Sequence, residues 1–300
     1  MLYVVLIFSS ILVFLFSLSY YLVKITTIPT IMPYETTYLH EVEEGWFTLE
    51  YFEDLPKKEI YIDSPQGYKI HGFWIPMLES KKCIVIVHGF SYSLFGSIKY
   101  LKIFRELGFN ILIYDQRYHG LSGGKNSTFG FKEKEDLKSI FDYITSLLGD
   151  QVIIGTHGES LGGATVLMHA SEDERVKFVI SDCAYSSVLD EFKHRLKEDY
   201  HLPPFPIIPL ASLINKIKIG AFYRELSPLK ASQKIKVPTF IIHGSQDTYT
   251  PFEQGRQLFE ALNCPKKWYA PHAKHASALK VNPSEYRDQI IQFLIENHLN

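Results

Sequence analysis

The 300-residue sequence predicts a doubly wound α/β domain built on a mostly parallel, eight-stranded sheet, and three observations predict it. Short β-branched or aromatic runs alternate with amphipathic helical segments along most of the chain. The first two strand-like runs are separated only by a turn signal. One long interval without any strand then interrupts the alternation.

Residues 1–23, MLYVVLIFSSILVFLFSLSYYLV, carry no charged side chain. As a helix they would extend roughly 34 Å, enough to cross a hydrocarbon core of ~30 Å. The expectation is a retained, single-pass N-terminal membrane anchor. A cleaved signal peptide, with S-L-S at 17–19 as its cleavage site, and a buried core helix are the rival readings. Against a signal peptide, no Lys or Arg precedes the apolar run, and the run exceeds the ~7–15 residues of a signal core. Tyr20, Tyr21 and Lys24 suit an interfacial belt at its end. Residues 24–58 are mixed and polar, with Pro29 and Pro33, and read as a linker to a domain spanning 59–300.

That domain opens with EIYI (59–62) and YKIHGFWI (68–75), which alternate with a period near two around SPQG and predict an antiparallel hairpin. The runs CIVIV (83–87), NILIY (110–114), QVIIG (151–155), VKFVI (176–180), PTFII (238–242) and KKWYA (266–270) are mostly apolar on both faces, as strands covered on both sides must be. Helical patterns occupy 97–107, 132–148, 161–170, 251–262 and 284–298. Strand alternating with helix means parallel pairing through crossovers. The interval 184–231 has no strand pattern but includes HLPPFPIIPLASLINKIKIGAFY, and is expected to form a small helical cap over the sheet's C-terminal edge.

With 46% hydrophobic and 21% charged residues the chain can bury a large core. A formal net charge of -2 with no basic run argues against a nucleic-acid partner. Three cysteines, Cys83, Cys183 and Cys264, are odd in number and widely spaced, which argues against both a disulfide framework and a zinc site.

The chemistry concentrates in GTHGESLGG, residues 155–163. A nucleotide-phosphate loop would need Lys and then Ser or Thr after its last glycine, but Gly163 is followed by Ala164, and the dinucleotide fingerprint fails on spacing. What matches is G-x-S-x-G over Gly158–Gly162, between a strand and a helix. Such a turn presents Ser160 as a nucleophile, with glycines two before and two after it removing Cβ atoms that would collide. The helix starting at Leu161 aims its N-terminal dipole at the site.

A serine hydroxyl needs a general base, itself oriented by an acid, and in this fold class these follow as acid and then His. Asp247, on the loop after PTFII, is the expected acid; its bland alternative is a turn aspartate. Asp182, which ends the preceding strand, is the second choice. The loop KKWYAPHAKHASAL offers His272 and His275, and His275 is preferred because small residues follow it. The oxyanion donors are expected to be the backbone N–H groups of Leu161 and of Phe90, in the loop after CIVIV. His88 is expected to support that loop.

VHGF at 87–90, YDQRYHGLSGG at 114–124, the G-x-S-x-G turn, HGSQDTYTP at 243–251 and the His275 loop occur together in this order. In this the chain resembles α/β-hydrolases of the serine-hydrolase type, in the branch of monoacylglycerol-lipase-like esterases and serine-aminopeptidase-like proteins, over about residues 60–298. The resemblance implies the α/β-hydrolase fold, a Ser160–His275–Asp247 triad working through an acyl-enzyme, and no metal or organic cofactor. It makes Arg117 and His119 parts of a structural turn, and Tyr118 stands where relatives often carry a smaller residue. A serine at the nucleophile position argues against dehalogenase and epoxide-hydrolase chemistry. An apolar cap and an anchor favour a lipophilic acyl ester as the small-molecule substrate. A peptidase or amidase of the same mechanism, or a membrane-anchored binding protein that kept the fold, are the alternatives.

Overall fold

The computed structural model describes residues 1–299. Its apolar runs assemble into one sheet of eight strands, β1 (Lys58–Asp63), β2 (Lys69–Ile75), β3 (Lys82–Val87), β4 (Asn110–Tyr114), β5 (Ile153–Glu159), β6 (Val176–Asp182), β7 (Thr239–Ile242) and β8 (Lys266–Tyr269), in the order β1-β2-β4-β3-β5-β6-β7-β8. β2 is antiparallel to both β1 and β4, and every other pairing is parallel. This is the α/β-hydrolase arrangement expected from the sequence.

Alternation along the strands divides the core into two layers. Cys83, Val85 and Val87 of β3 join one layer with Ile140 and Phe141 of α5 (Glu133–Leu148) and Leu167 of α6 (Leu161–Ala170). Ile84 and Ile86 join the other, with Phe104 of α4 (Leu101–Glu106) and Phe293 of α12 (Pro283–Glu296). β5 lies in the middle, paired in parallel with β3 and β6, and runs on through Glu159 rather than ending at Gly155. Pairing on both edges holds Thr156, His157 and Gly158 extended where the local sequence, rich in glycine, gave no strand signal. Gly155 lies under the Phe178 ring, which a Cβ there would meet at 2.0 Å.

Three further segments differ from a simple reading of the pattern. Residues 97–107 are not one helix: a 3₁₀ turn spans Leu94–Tyr100 before α4, because the Asp115 carboxylate accepts from Leu94 N (2.7 Å) and Ser93 caps Phe95 N. The stretch read as a linker holds α2 (Tyr34–Glu43) and α3 (Leu49–Glu53). Phe47 and Phe52 are buried there, and Tyr38 stacks on Phe95 at 4.7 Å, so widely spaced aromatics fasten a segment whose average composition is polar.

Over the C-terminal edge of the sheet, residues 184–231 form α7 (Val188–Tyr200), α8 (Pro204–Ile219, broken at Phe205), a 3₁₀ turn at Tyr223–Glu225 and α9 (Pro228–Ser232). α1 (Leu2–Thr27) is long and apolar enough to cross a membrane, and most of it is exposed. Its last turns are not: Ser19, Leu22, Val23 and Thr27 are buried against the cap and the body of the domain. The remaining helices are α10 (Phe252–Ala261) and α11 (Ala278–Val281).

Candidate active site

Ser160 stands between β5 and α6 with φ 55° and ψ -114°, a conformation that a residue with a Cβ adopts only when its surroundings enforce it. The enforcement is visible on either side. A Cβ on Gly158 would lie 2.3 Å from the Gly162 carbonyl oxygen, and one on Gly162 would lie 2.1 Å from that of Val87. Ser160 N donates to Asp182 O at 2.8 Å. The sharp turn therefore requires glycine at both flanking positions, and it lifts Oγ out of the sheet.

The loops after β7 and β8 bring two groups to that hydroxyl. His275 Nε2 lies 3.0 Å from Ser160 Oγ, and His275 Nδ1 lies 2.7 Å from Asp247 Oδ2. The other carboxylate oxygen, Oδ1, accepts from Tyr249 N and Thr250 N, each at 2.9 Å, so the aspartate cannot swing away. Burial pushes the Asp247 carboxyl up, but hydrogen bonds from His243 and His275 and their charge outweigh it and hold it down at about 2. Burial would lower the His275 imidazolium, but the Asp247 hydrogen bond and charge outweigh that and raise it. The pair is thus tuned to accept a proton on His275 and keep Asp247 ionised.

Leu161 is the first residue of α6, so its N–H is one of the free donors at a helix N-terminus. Phe90 lines the same cavity as Ser160, and a Cβ built on Gly89 would stand 3.7 Å from that of Ser160. His88 fixes this loop: its Nδ1–H donates to Gly89 O (2.7 Å) and its Nε2 accepts from Gln116 N (2.9 Å). Burial, with His119 beside it, pushes the His88 imidazole down to about 3, the neutral state those two bonds require. His119 Nε2 accepts from Ser91 N at 3.1 Å, and Arg117 donates to Asn126; both serve the turn. Tyr118 sits in that turn at φ 68° and is not among the residues lining the cavity.

The second-choice residues lie elsewhere. Asp182 accepts from Tyr286 OH (3.0 Å) in α12 rather than from His275, and burial together with Glu159 pushes its carboxyl up to about 7. His272 is exposed. Among the described residues no group of three or more His, Cys, Asp or Glu side chains could hold a metal ion.

Several contributors carry no local sequence signal. His243 is fully buried at 3.4 Å from Asp247 Oδ2, with its Nε2–H donating to Thr250 O. Behind the elbow, Glu159 Oε2 accepts from Tyr100 OH (2.5 Å) and pairs with Lys99 Nζ (2.7 Å), groups some 60 residues earlier in the chain. Tyr249 stacks on His275 with centroids 4.9 Å apart, and the Arg195 guanidinium covers Tyr249 at 4.2 Å. Glu191 is buried in the cavity wall, bonded to Gln254 (2.8 Å), and burial pushes its carboxyl up to about 7.

Ser160, Glu191, Arg195 and Tyr249 line a cavity of ≈ 170 Å³. Phe90, Phe129, Tyr185, Phe192 and Ile208 give it an apolar side, to which α1 adds Leu22, Ile25 and Thr26. Glu191, Arg195, Asp199 and Tyr249 make a polar end. An apolar pocket with a few convergent polar groups, opening on a hydrogen-bonded serine hydroxyl, suits a small molecule with a hydrophobic portion.

Comparison with known proteins agrees with this architecture. The family model described as the alpha/beta hydrolase fold matches residues 82–206. The chain is 35% identical over 257 residues to "Uncharacterized protein YqkD" of Bacillus subtilis, covering 85% of this chain and 84% of that one. Among solved structures it is similar to the Pyrococcus furiosus esterase Pf2001, with TM-score 0.69, 24% identity and coverage of 83% and 96%. It is also similar to the Pyrococcus horikoshii acylaminoacyl peptidase, with TM-score 0.58, 19% identity and coverage of 81% and 42%.

Proposed function

The chain belongs to the α/β-hydrolase superfamily, and from that premise we propose that it is a serine hydrolase that cleaves lipophilic acyl esters through an acyl-enzyme on Ser160. The observation that carries this reading is the unbroken chain of hydrogen bonds from Ser160 Oγ through His275 to Asp247.

Ser160 Oγ attacks the ester carbonyl while its proton passes to His275 Nε2. Asp247 holds the imidazole by Nδ1–H and stabilises the imidazolium. The Leu161 and Phe90 N–H groups bind the oxyanion of the tetrahedral intermediate, where fixed dipoles need no reorganisation. Collapse expels the alkoxide, which takes the proton from His275. Water, deprotonated by the same nitrogen, then attacks the acyl-serine, releases the carboxylic acid and restores Ser160. His275 can serve both steps because Asp247 keeps its pKa raised without itself taking the proton.

The ester reading rests on the apolar wall formed by α1 and the cap, and α1 is taken to be a retained membrane anchor. Comparing kcat/KM on a series of p-nitrophenyl acyl esters with that on aminoacyl-anilides tests the substrate class. Esters with medium or long chains should be preferred; a preference for anilides would instead assign a peptidase or amidase.

A further inference from the structure

The helix expected only to anchor the protein reaches the cavity of Ser160. Leu22, Ile25 and Thr26 of α1 line the space into which that serine opens, and their i, i+3, i+4 spacing puts them on one helical face. The adjoining face is fastened to the domain. Ser19 Oγ donates to Ile207 O at 3.3 Å, Thr27 O accepts from Ser127 N at 2.8 Å, and Lys218 Nζ lies over the Tyr20 ring at 5.0 Å. Beyond Leu15 toward the N-terminus the helix is bare of protein contacts that would bury it, and Leu2, Val4, Leu6, Phe8, Leu12 and Phe14 are each at least half exposed.

We propose that the last two turns of α1 are a substrate-binding wall: they complete the apolar side of the catalytic cavity, set the length of acyl chain accepted, and receive membrane-resident lipid esters where the helix leaves the bilayer. This rests on the serine-esterase reading but adds a role for residues outside its chemistry. Three consequences follow from the geometry. A chain seated on Ser160 runs along Leu22 and Ile25. Removal of the segment up to Ser19 by a signal peptidase would take away the Ser19–Ile207 bond, one of the contacts that hold this wall. A substitution at residue 25 acts on selectivity among acyl chains, since a single methylene in an apolar pocket is worth about tenfold or more in kcat/KM.

The test uses the full chain in phosphatidylcholine nanodiscs. Ile25→Trp should lower the ratio of kcat/KM for p-nitrophenyl decanoate to that for the acetate by at least about tenfold, whereas Tyr21→Trp, at an exposed position of the same helix that does not line the cavity, should leave the ratio unchanged. Reaction with a fluorophosphonate checks that each variant is folded. If Ile25→Trp does not fold, Ile25→Ala gives the opposite sign, raising the dodecanoate-to-decanoate ratio. A readout independent of catalysis is alkylation of the Ile25→Cys variant by N-ethylmaleimide, followed on the peptide that carries the new thiol. Decan-1-ol should slow that reaction about tenfold and leave the Tyr21→Cys variant unaffected. A chain-length ratio unmoved at residue 25 overturns the proposal. If the wild type hydrolyses no ester, protection of the thiol in Ile25→Cys by decan-1-ol keeps the wall while the esterase reading falls, and lack of protection overturns the wall as well.

Discussion

At the scale of single residues, the proposed catalysis turns on what Asp247 does to His275. The carboxylate raises the imidazolium pKa, and the base is competent only when neutral, so kcat/KM should fall as pH drops through that raised value. Asp247→Asn removes the raising charge and leaves the wrong tautomer. It is expected to lower kcat by about 10⁴-fold, the loss typical when the acid of a Ser-His-Asp triad becomes an amide, and to shift the remaining acid limb to lower pH. A pH profile whose acid limb stays in place in Asp247→Asn would remove the aspartate from this role. That Ser160, Asp247 and His275 would meet was legible because each sits on a loop immediately after a strand run in a fixed order. Glu159 with Lys99, and Glu191, were not, because their partners lie at distant positions in the chain or meet them only when strands and cap are packed. Asp182 shows the same limit from the other side: its place at a strand end resembled that of an acid, but its side chain turns to Tyr286.

At the scale of elements, the strand–turn–helix unit around Ser160 is the part most tightly specified. Gly162 packs where a Cβ would be 2.1 Å from Val87 O and 2.7 Å from His88 O, both backbone atoms of the strand and loop that bring Phe90 to the site. Gly162→Ala must therefore displace either the elbow or that loop. It is expected to cost on the order of 2 kcal/mol or more of stability, read as a fall in Tm, together with loss of activity in the folded fraction. Unchanged Tm and activity would mean that the elbow does not need this close approach. Strand positions were readable because both faces of β3, β4 and β6 are apolar. The length of β5 was not, since its last residues are held by neighbours rather than by propensity. The helices at 34–43 and 49–53 escaped notice for a similar reason, as a few aromatics such as Phe47 and Phe52 dock them without an extended amphipathic pattern.

At the scale of the whole molecule, a hydrolase body, a helical cap and an apolar N-terminal helix converge on one cavity. If α1 is a retained anchor, the protein should stay with membranes through an alkaline carbonate wash and be released by detergent, and its mass should include residues 1–27. Release by carbonate, or a chain beginning near residue 20, would contradict retention. The length and apolarity of that helix are plain in the sequence; its contact with the active site emerges only from the tertiary packing of Ser19, Leu22 and Thr27. All of these roles presuppose that Ser160 is an activated nucleophile. Intact-mass measurement of the full-length protein after exposure to an alkyl fluorophosphonate tests this most directly. A single adduct that maps to Ser160, lost in Ser160→Ala and strongly slowed in His275→Ala, is the predicted result. An unmodified wild type, or an adduct that persists in Ser160→Ala, would contradict it.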